Sequence, residues 1–235
     1  MKLLKLLLLS ACCFPILSAS AQSADEVIEK HLAALGGRDL LSKVNTLYME
    51  SSLDVMGNQA PATSYHVNGK AFKTEVEFNG STIISCVTDK GGWSVNPMMG
   101  SSTPEPMPED QYKRSKLQLY IASPLMNYKD NGYTVELLPK EGELLKLKLT
   151  SPDSISATYF IDPSTYYVQK AVSTADMQGQ QVEVTTTFTD YKKTDQGFVM
   201  PYHFETDLGQ FTLAYTINKV EVNKPIDPAI FEMPK

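Results

Sequence analysis

The residues best equipped for chemistry are three histidines, a lone cysteine in the body of the chain and a close pair of glutamates. Their spacing argues against catalysis. His31, His66 and His203 are scattered, with neither His-x-x-x-His nor His-Glu-x-x-His, so no metal site is expected. Cys86 sits in an apolar run with no histidine nearby in sequence, which points to a buried thiol rather than a nucleophile. Glu75 and Glu77 share the polar face of one strand pattern and read as a solvated face. No Gly-x-Ser-x-Gly elbow and no glycine-rich phosphate loop after a strand occurs. The expectation is no catalytic residue, no cofactor and no enzyme activity.

The elements that would carry such residues are mostly strands. Ser23-Ala24-Asp25-Glu26 is a capping box, and Val27, Ile28, His31, Leu32 and Leu35 follow at helical spacing. Gly36-Gly37 ends that helix, and residues 38–44 read as a second, short one. From Thr46 the apolar period changes from 3.6 to 2. Phe72, Thr74, Val76 and Phe78 alternate with Lys73, Glu75 and Glu77, the cleanest one-sided strand in the chain. Asn79-Gly80 predicts a type I′ hairpin into residues 81–88, apolar on both faces and so a central strand. Residues 96–108 hold four prolines and three methionines and read as a long loop unable to join a sheet. Residues 109–121 read as a helix closed by Ser123-Pro124.

Strand patterns then resume to the end of the chain. Asp162-Pro163-Ser164 and Gln178-Gly179 mark turns. Val220 and Val222 take the opposite parity to Phe211, Leu213, Tyr215 and Ile217, which predicts a β-bulge. The residues 190–234 look like a closing hairpin followed by a proline-bounded apolar plug. The fold class expected is mainly β (α+β). One curved antiparallel sheet of about ten strands would form an incomplete β-barrel, with an N-terminal helix pair and a mid-chain lid helix over the concave face.

Length and composition bound the function. The chain has 235 residues, 42% of them hydrophobic, enough for one domain with a real core. Lys2 and Lys5, an apolar run over residues 6–17 and Ala19-Ser20-Ala21 form a cleavable export signal, leaving 22–235 as the mature domain in the periplasm. Leu9-Ser10-Ala11-Cys12 offers a competing reading, a lipobox that would leave Cys12 acylated. Loss of residues 1–21 takes the net charge from −6 to −8. An acidic chain without a basic cluster argues against nucleic acid and against electrostatic docking to anionic lipid. Cys86 alone remains in the mature part, so no internal disulfide can form.

Four pieces occur in order: the opening helix with Leu35-Gly36-Gly37, the Gly80…Trp93…Pro97 region, Tyr159-Phe160-Ile161-Asp162-Pro163-Ser164-Thr165, and Gly197…Met200-Pro201…Val222-Asn223-Lys224-Pro225-Ile226-Asp227…Phe231…Pro234. Taken together they resemble the LolA/LolB-like periplasmic carriers of lipids and lipoproteins. The resemblance implies a half-closed barrel whose concave face holds acyl chains. It also implies a lid made by the methionine-rich loop and the helix after it. On that reading the ligand-binding residues are Phe72, Val76, Phe78, Trp93, Met98, Met99 and Tyr120, with Trp93 at the mouth. The partners are lipid or lipoprotein acyl chains and an envelope protein, and the chain is a monomer. The alternative is an envelope interaction or lipid-sensing module of the same fold. In one respect the chain departs from the family. LolA-type carriers are associated with an early-strand arginine that helps control the lid, whereas the mature chain has only Arg38 and Arg114, neither on an early strand.

Overall fold

A computed structural model describes residues 22–177 and 180–234. The export signal, Cys12 and the Gln178-Gly179 turn lie outside the described residues.

The chain opens with α1 (Ala24–Ala34) and α2 (Arg38–Leu41). Ser23 caps α1 by accepting from the Glu26 N–H at 3.1 Å. The Glu26 carboxylate does not reach back; it takes the Lys30 ammonium at 2.7 Å. Gly36 and Gly37, at φ of 126° and 87°, turn the chain out of the helix where a side chain would be strained. Six strands follow as a meander: β1 (Thr46–Val55), β2 (Asn58–Val67), β3 (Ala71–Phe78), β4 (Ser81–Thr88), β5 (Gly92–Asn96) and β6 (Ser101–Pro106). After α3 (Glu109–Ser115) and a 3-10 turn over Lys116–Leu119 comes a second meander. It comprises β7 (Thr134–Glu141), β8 (Leu144–Thr150), β9 (Ser156–Ile161), β10 (Val168–Met177), β11 (Gln180–Lys193), β12 (Val199–Asp207) and β13 (Thr212–Val222).

Among the described residues the two meanders form one antiparallel sheet of 13 strands, in the order β6-β5-β4-β3-β2-β1-β13-β12-β11-β10-β9-β8-β7. The seam is β1 against β13, the first strand against the last. The edges are β6 and β7, which do not pair, so the sheet is not closed into a barrel. The segment joining them, residues 107–133, runs as a strap from one edge to the other. In a flat sheet β4 and β9 would stand roughly 40 Å apart, at about 4.8 Å per strand. Ser85 of β4 and Tyr159 of β9 nevertheless line one cavity, so the sheet curls around it.

Particular residues explain where the sequence pattern and the structure agree and part. Asn79 and Gly80 both have positive φ, 51° and 76°, as a type I′ turn requires. The register of β13 slips between Ile217 and Lys219 opposite Ser51 and Glu50, which places the bulge at Asn218. Residues 101–106 join the sheet after all, contrary to the loop reading. Pro104 and Pro106 are tolerated because β6 is an edge strand with one pairing side only. β2 carries no alternation of large apolar residues. Its inward positions are Ala60, Ala62, Ser64 and His66, small or polar side chains that hide the strand period. Helix α3 ends at Ser115, not near residue 121. The Gly69 N–H donates to the Leu119 carbonyl at 2.6 Å and the Ile121 N–H to Asn68 Oδ1 at 3.1 Å, so the β2–β3 turn claims backbone groups that a longer helix would use.

The main core lies between α1, the strap and the second meander. Val27, Ile28 and Leu32 pack with Leu145, Leu147, Leu149, Ile161 and Leu125. A separate cluster covers the outer face of the first meander. There Trp93, Cys86 and Ala71 pack under Phe231 from the chain's last turn, Pro228–Phe231. The Trp93 indole N–H donates to the Phe231 carbonyl at 2.9 Å. Phe231 is thus a cover on the outside of the sheet rather than a plug in a barrel end. We expect Phe231→Ala to cost about 3 kcal/mol, the usual loss for emptying a buried aromatic site. A denaturant midpoint unchanged from wild type would show that the tail contributes nothing to the outer face.

Candidate functional site

The curled sheet encloses a cavity of about 550 Å³. Its floor comes from in-register rows of the first meander. Leu47, His66 and Phe72 make one row; Met49, Ser64, Thr74 and Ser85 make the next. The facing wall comes from Phe188, Phe204 and Tyr215, also in register, with Phe204 and Tyr215 stacked at 4.8 Å. Tyr191, Phe198 and Ile217 complete that side. Leu35 at the end of α1 closes one end, and the strap supplies Gln118, Tyr120, Ile121, Ala122, Ser123 and Pro124 as a cover.

No Lys, Arg, Asp or Glu lines this cavity among the described residues. Its polar groups are neutral hydroxyls, one amide and two histidines. Both histidines lie where the cover meets the body. His31 Nδ1 lies 2.8 Å from the Tyr166 carbonyl and Nε2 lies 3.2 Å from Ser123 Oγ of the strap. Burial lowers the His31 pKa, the carbonyl offsetting part of that. His66 packs against Phe72 with ring centres 4.9 Å apart, and its buried Nε2 reaches no hydrogen-bond partner. Burial pushes its pKa down to about 4, against a smaller opposing pull from the Leu119 and Gln118 carbonyls of the strap.

The sign of the resulting pH dependence follows from linkage. A histidine with a folded pKa below its unfolded value of about 6.5 takes up protons more readily unfolded. His66 therefore costs nothing above that pH and destabilises as pH falls from about 6.5 towards 4, by about 1.4 kcal/mol per unit. We expect the melting temperature to be flat from pH 8 to 7 and to fall below 6.5. His66→Phe, which keeps the ring stack, should flatten the fall. A variant with the wild-type pH profile would assign the acid sensitivity elsewhere.

The residues singled out in the sequence end up in three places. Phe72 and Tyr120 line the cavity. Val76 and Phe78 share the inner face with Phe72 but pack beyond the cavity wall, in a cluster with Leu53, Ala60 and Ala62. Trp93 is not at a mouth. It pairs with Cys86 and, through it, aligns with Lys73, the neighbour of Phe72 that points to the outer face. Met98 and Met99 stand exposed on the β5–β6 turn, outside the cavity walls. Sequence reading missed Phe188, Phe204, Tyr215 and Phe198 as wall residues. The alternation of Phe188 and of Tyr215 within their strands was visible, but which face would be concave was not.

Cys86 is buried and its thiol donates to the Phe231 carbonyl at 3.4 Å, with burial pushing its pKa up to about 11. That environment holds the thiol protonated and unreactive. Among the described residues no three His, Cys, Asp or Glu side chains are placed to hold a metal. No described helix is long and apolar enough to cross a membrane.

A neutral cavity under a strap, on a curled antiparallel sheet, defines a LolA-like fold. The chain is similar over 90% of its length to a LolA superfamily protein from Nitrosomonas europaea, at 12% identity, 98% coverage of that chain and a TM-score of 0.58. It is equally similar to a DUF1329 family protein from Desulfovibrio piger, at 12% identity, 90% and 98% coverage and a TM-score of 0.59. A domain from Vibrio parahaemolyticus assigned to outer-membrane lipoprotein sorting matches at 14% identity, 88% and 94% coverage and a TM-score of 0.54. No family model and no curated protein matches the sequence. At such identities the likeness is one of fold.

Proposed function

We propose that the chain is a periplasmic carrier or binder of lipid or lipoprotein acyl chains. The observation that carries this reading is the cavity of about 550 Å³, with mostly apolar walls and no charged side chain among the described residues. A volume of that size lies in the range of single-ligand pockets. Acyl chains suit it because each buried methylene contributes about 0.8 kcal/mol, so a chain of a dozen carbons binds without a charged contact. The cleavable export signal expected over residues 1–21 supports a periplasmic location for the chain. The likeness to a domain assigned to lipoprotein sorting supports the same cargo class.

The test is native mass spectrometry of the protein purified from its own periplasm, followed by solvent extraction. A released acyl species of defined mass supports the reading. A chain that arrives empty and also refuses an added fluorescent acyl probe overturns it, and favours an envelope interaction module.

A further inference from the structure

The two ends of the sheet differ in chemistry. At one end lie the β2–β3, β4–β5, β7–β8, β9–β10 and β11–β12 turns. Each carries at least one charged side chain: Lys70, Asp89 with Lys90, Glu143, Asp162 and Asp195. At the other end lie the turns β1–β2 (Met56-Gly57), β3–β4 (Asn79-Gly80), β5–β6 (Pro97-Met98-Met99-Gly100) and β12–β13 (Leu208-Gly209-Gln210-Phe211). None of these four carries a charge, although 20% of the chain is charged. Asp54 and Asp207 beside them are held on the Gly57 and Gly209 N–H groups, at 2.8 and 2.7 Å, whereas Glu77, two residues before Asn79, is exposed. The fifth described turn at this end, 151–155, lies on the second meander and holds Asp153, paired with Lys116 at 3.2 Å.

Three of the four exposed large apolar side chains among the described residues stand on these four uncharged turns: Met56 and Met99 at 79% exposure and Met98 at 56%. The inner face leads to it. Leu53, Ala62, Val76 and Phe78 form an apolar strip that continues from the cavity wall at Leu213 and Tyr215 towards the Met56 turn. The strap is fastened to the first meander at the opposite, charged end, and through Lys116 to Asp153 of the 151–155 turn. Leu119 and Ile121 are bonded to the β2–β3 turn, and the Tyr112 hydroxyl donates to the Thr88 carbonyl at 3.1 Å. Along the first meander the cavity is covered from the charged end, and an apolar strip runs from it towards the uncharged turns.

We propose that the uncharged turns are a docking surface for a neutral lipid bilayer. Methionine side chains enter the acyl boundary, and Asn, Gln and Ser groups beside them meet the headgroups. A polar, charged partner surface would find no complementary charge here, whereas a zwitterionic interface requires none and rewards exposed apolar tips. Delivery of acyl chains through this surface rests on the carrier reading; the docking itself does not.

Flotation of the purified chain with phosphatidylcholine vesicles tests it. The wild type should float, with the bound fraction unchanged between low and high salt. Combined Met56→Asp, Met98→Asp and Met99→Asp should lower partitioning at least tenfold, while Lys90→Gln at the charged end leaves it unchanged. The triple variant keeps its melting temperature, because all three side chains are exposed. Uptake of a fluorescent acyl probe without vesicles is measured in parallel. Loss of flotation with normal uptake in the triple variant supports docking. Flotation without any uptake in the wild type removes the carrier reading and leaves docking standing. A wild type that stays in solution, floats only with anionic vesicles, or loses self-association rather than flotation in the triple variant overturns the proposal.

Discussion

Phe198→Ala is expected to lower stability by about 3–5 kcal/mol, the largest loss from any single truncation in this chain. In a domain of this size that corresponds to a melting temperature lower by roughly 10 °C. The reason is local and specific. Phe198 is 1% exposed and sits where α1, the β11–β12 turn and the cavity wall meet. Its Cα lies 3.3 Å from where a Cβ on Gly36 would stand. The next residue, Val199, donates to the Leu35 carbonyl at 2.8 Å. Thr194 holds the turn by donating its N–H and its hydroxyl to the Phe198 carbonyl, at 2.8 and 3.1 Å. Emptying this site leaves the end of α1 without its packing partner. Met99→Ala, on an exposed turn, serves as the control and should leave the midpoint within about 0.5 kcal/mol of wild type. Equal effects from the two substitutions would contradict the packing described.

The second large effect concerns ligand uptake rather than folding. Thr74 and Ser85 face each other across β3 and β4 and both open onto the cavity. Replacing both by Trp puts two indoles into space that is empty, and it removes no buried contact. Uptake of an acyl probe should fall more than tenfold, while the melting temperature changes little. Single replacements should give intermediate losses. Retained uptake with both indoles in place would show that acyl chains bind elsewhere.

The legible part of the fold was the part written in short-range pattern. The capping serine, the Asn79-Gly80 turn, the change of period at Thr46 and the parity switch before Val220 each depend on neighbouring residues only, and each has its counterpart in the structure. β2 was hidden because its inward residues are small or polar: Ala60 and Ala62 pack under Leu53 and Val76, and Ser64 lines the cavity, where most strands would show leucine or valine. β6 was hidden because proline reads as a strand breaker unless the strand is known to be an edge. The placement of Trp93 and Phe231 depended on which face of the first meander curls inward. That is fixed by the β1–β13 seam and the strap, both long-range, so neither side chain could be assigned to a face from its own neighbourhood. The same ignorance separated Met98 and Met99 from the cavity they were expected to line.

The β1–β13 seam also sets an order of events. Each meander is built from neighbours in sequence and can form by local hairpin closure, whereas the seam joins Leu47 to Val222 and needs nearly the whole chain. Until β13 has been made, the first meander has an open edge at β1, and its outer apolar patch at Trp93 and Cys86 lacks the cover that Phe231 brings with Ile226 and Ile230. A chain stopped short of its last two dozen residues is left with an unpaired inner strand and a bare apolar face, both ready templates for aggregation. Completion of the C-terminus is thus the step that turns two sticky half-sheets into one continuous sheet.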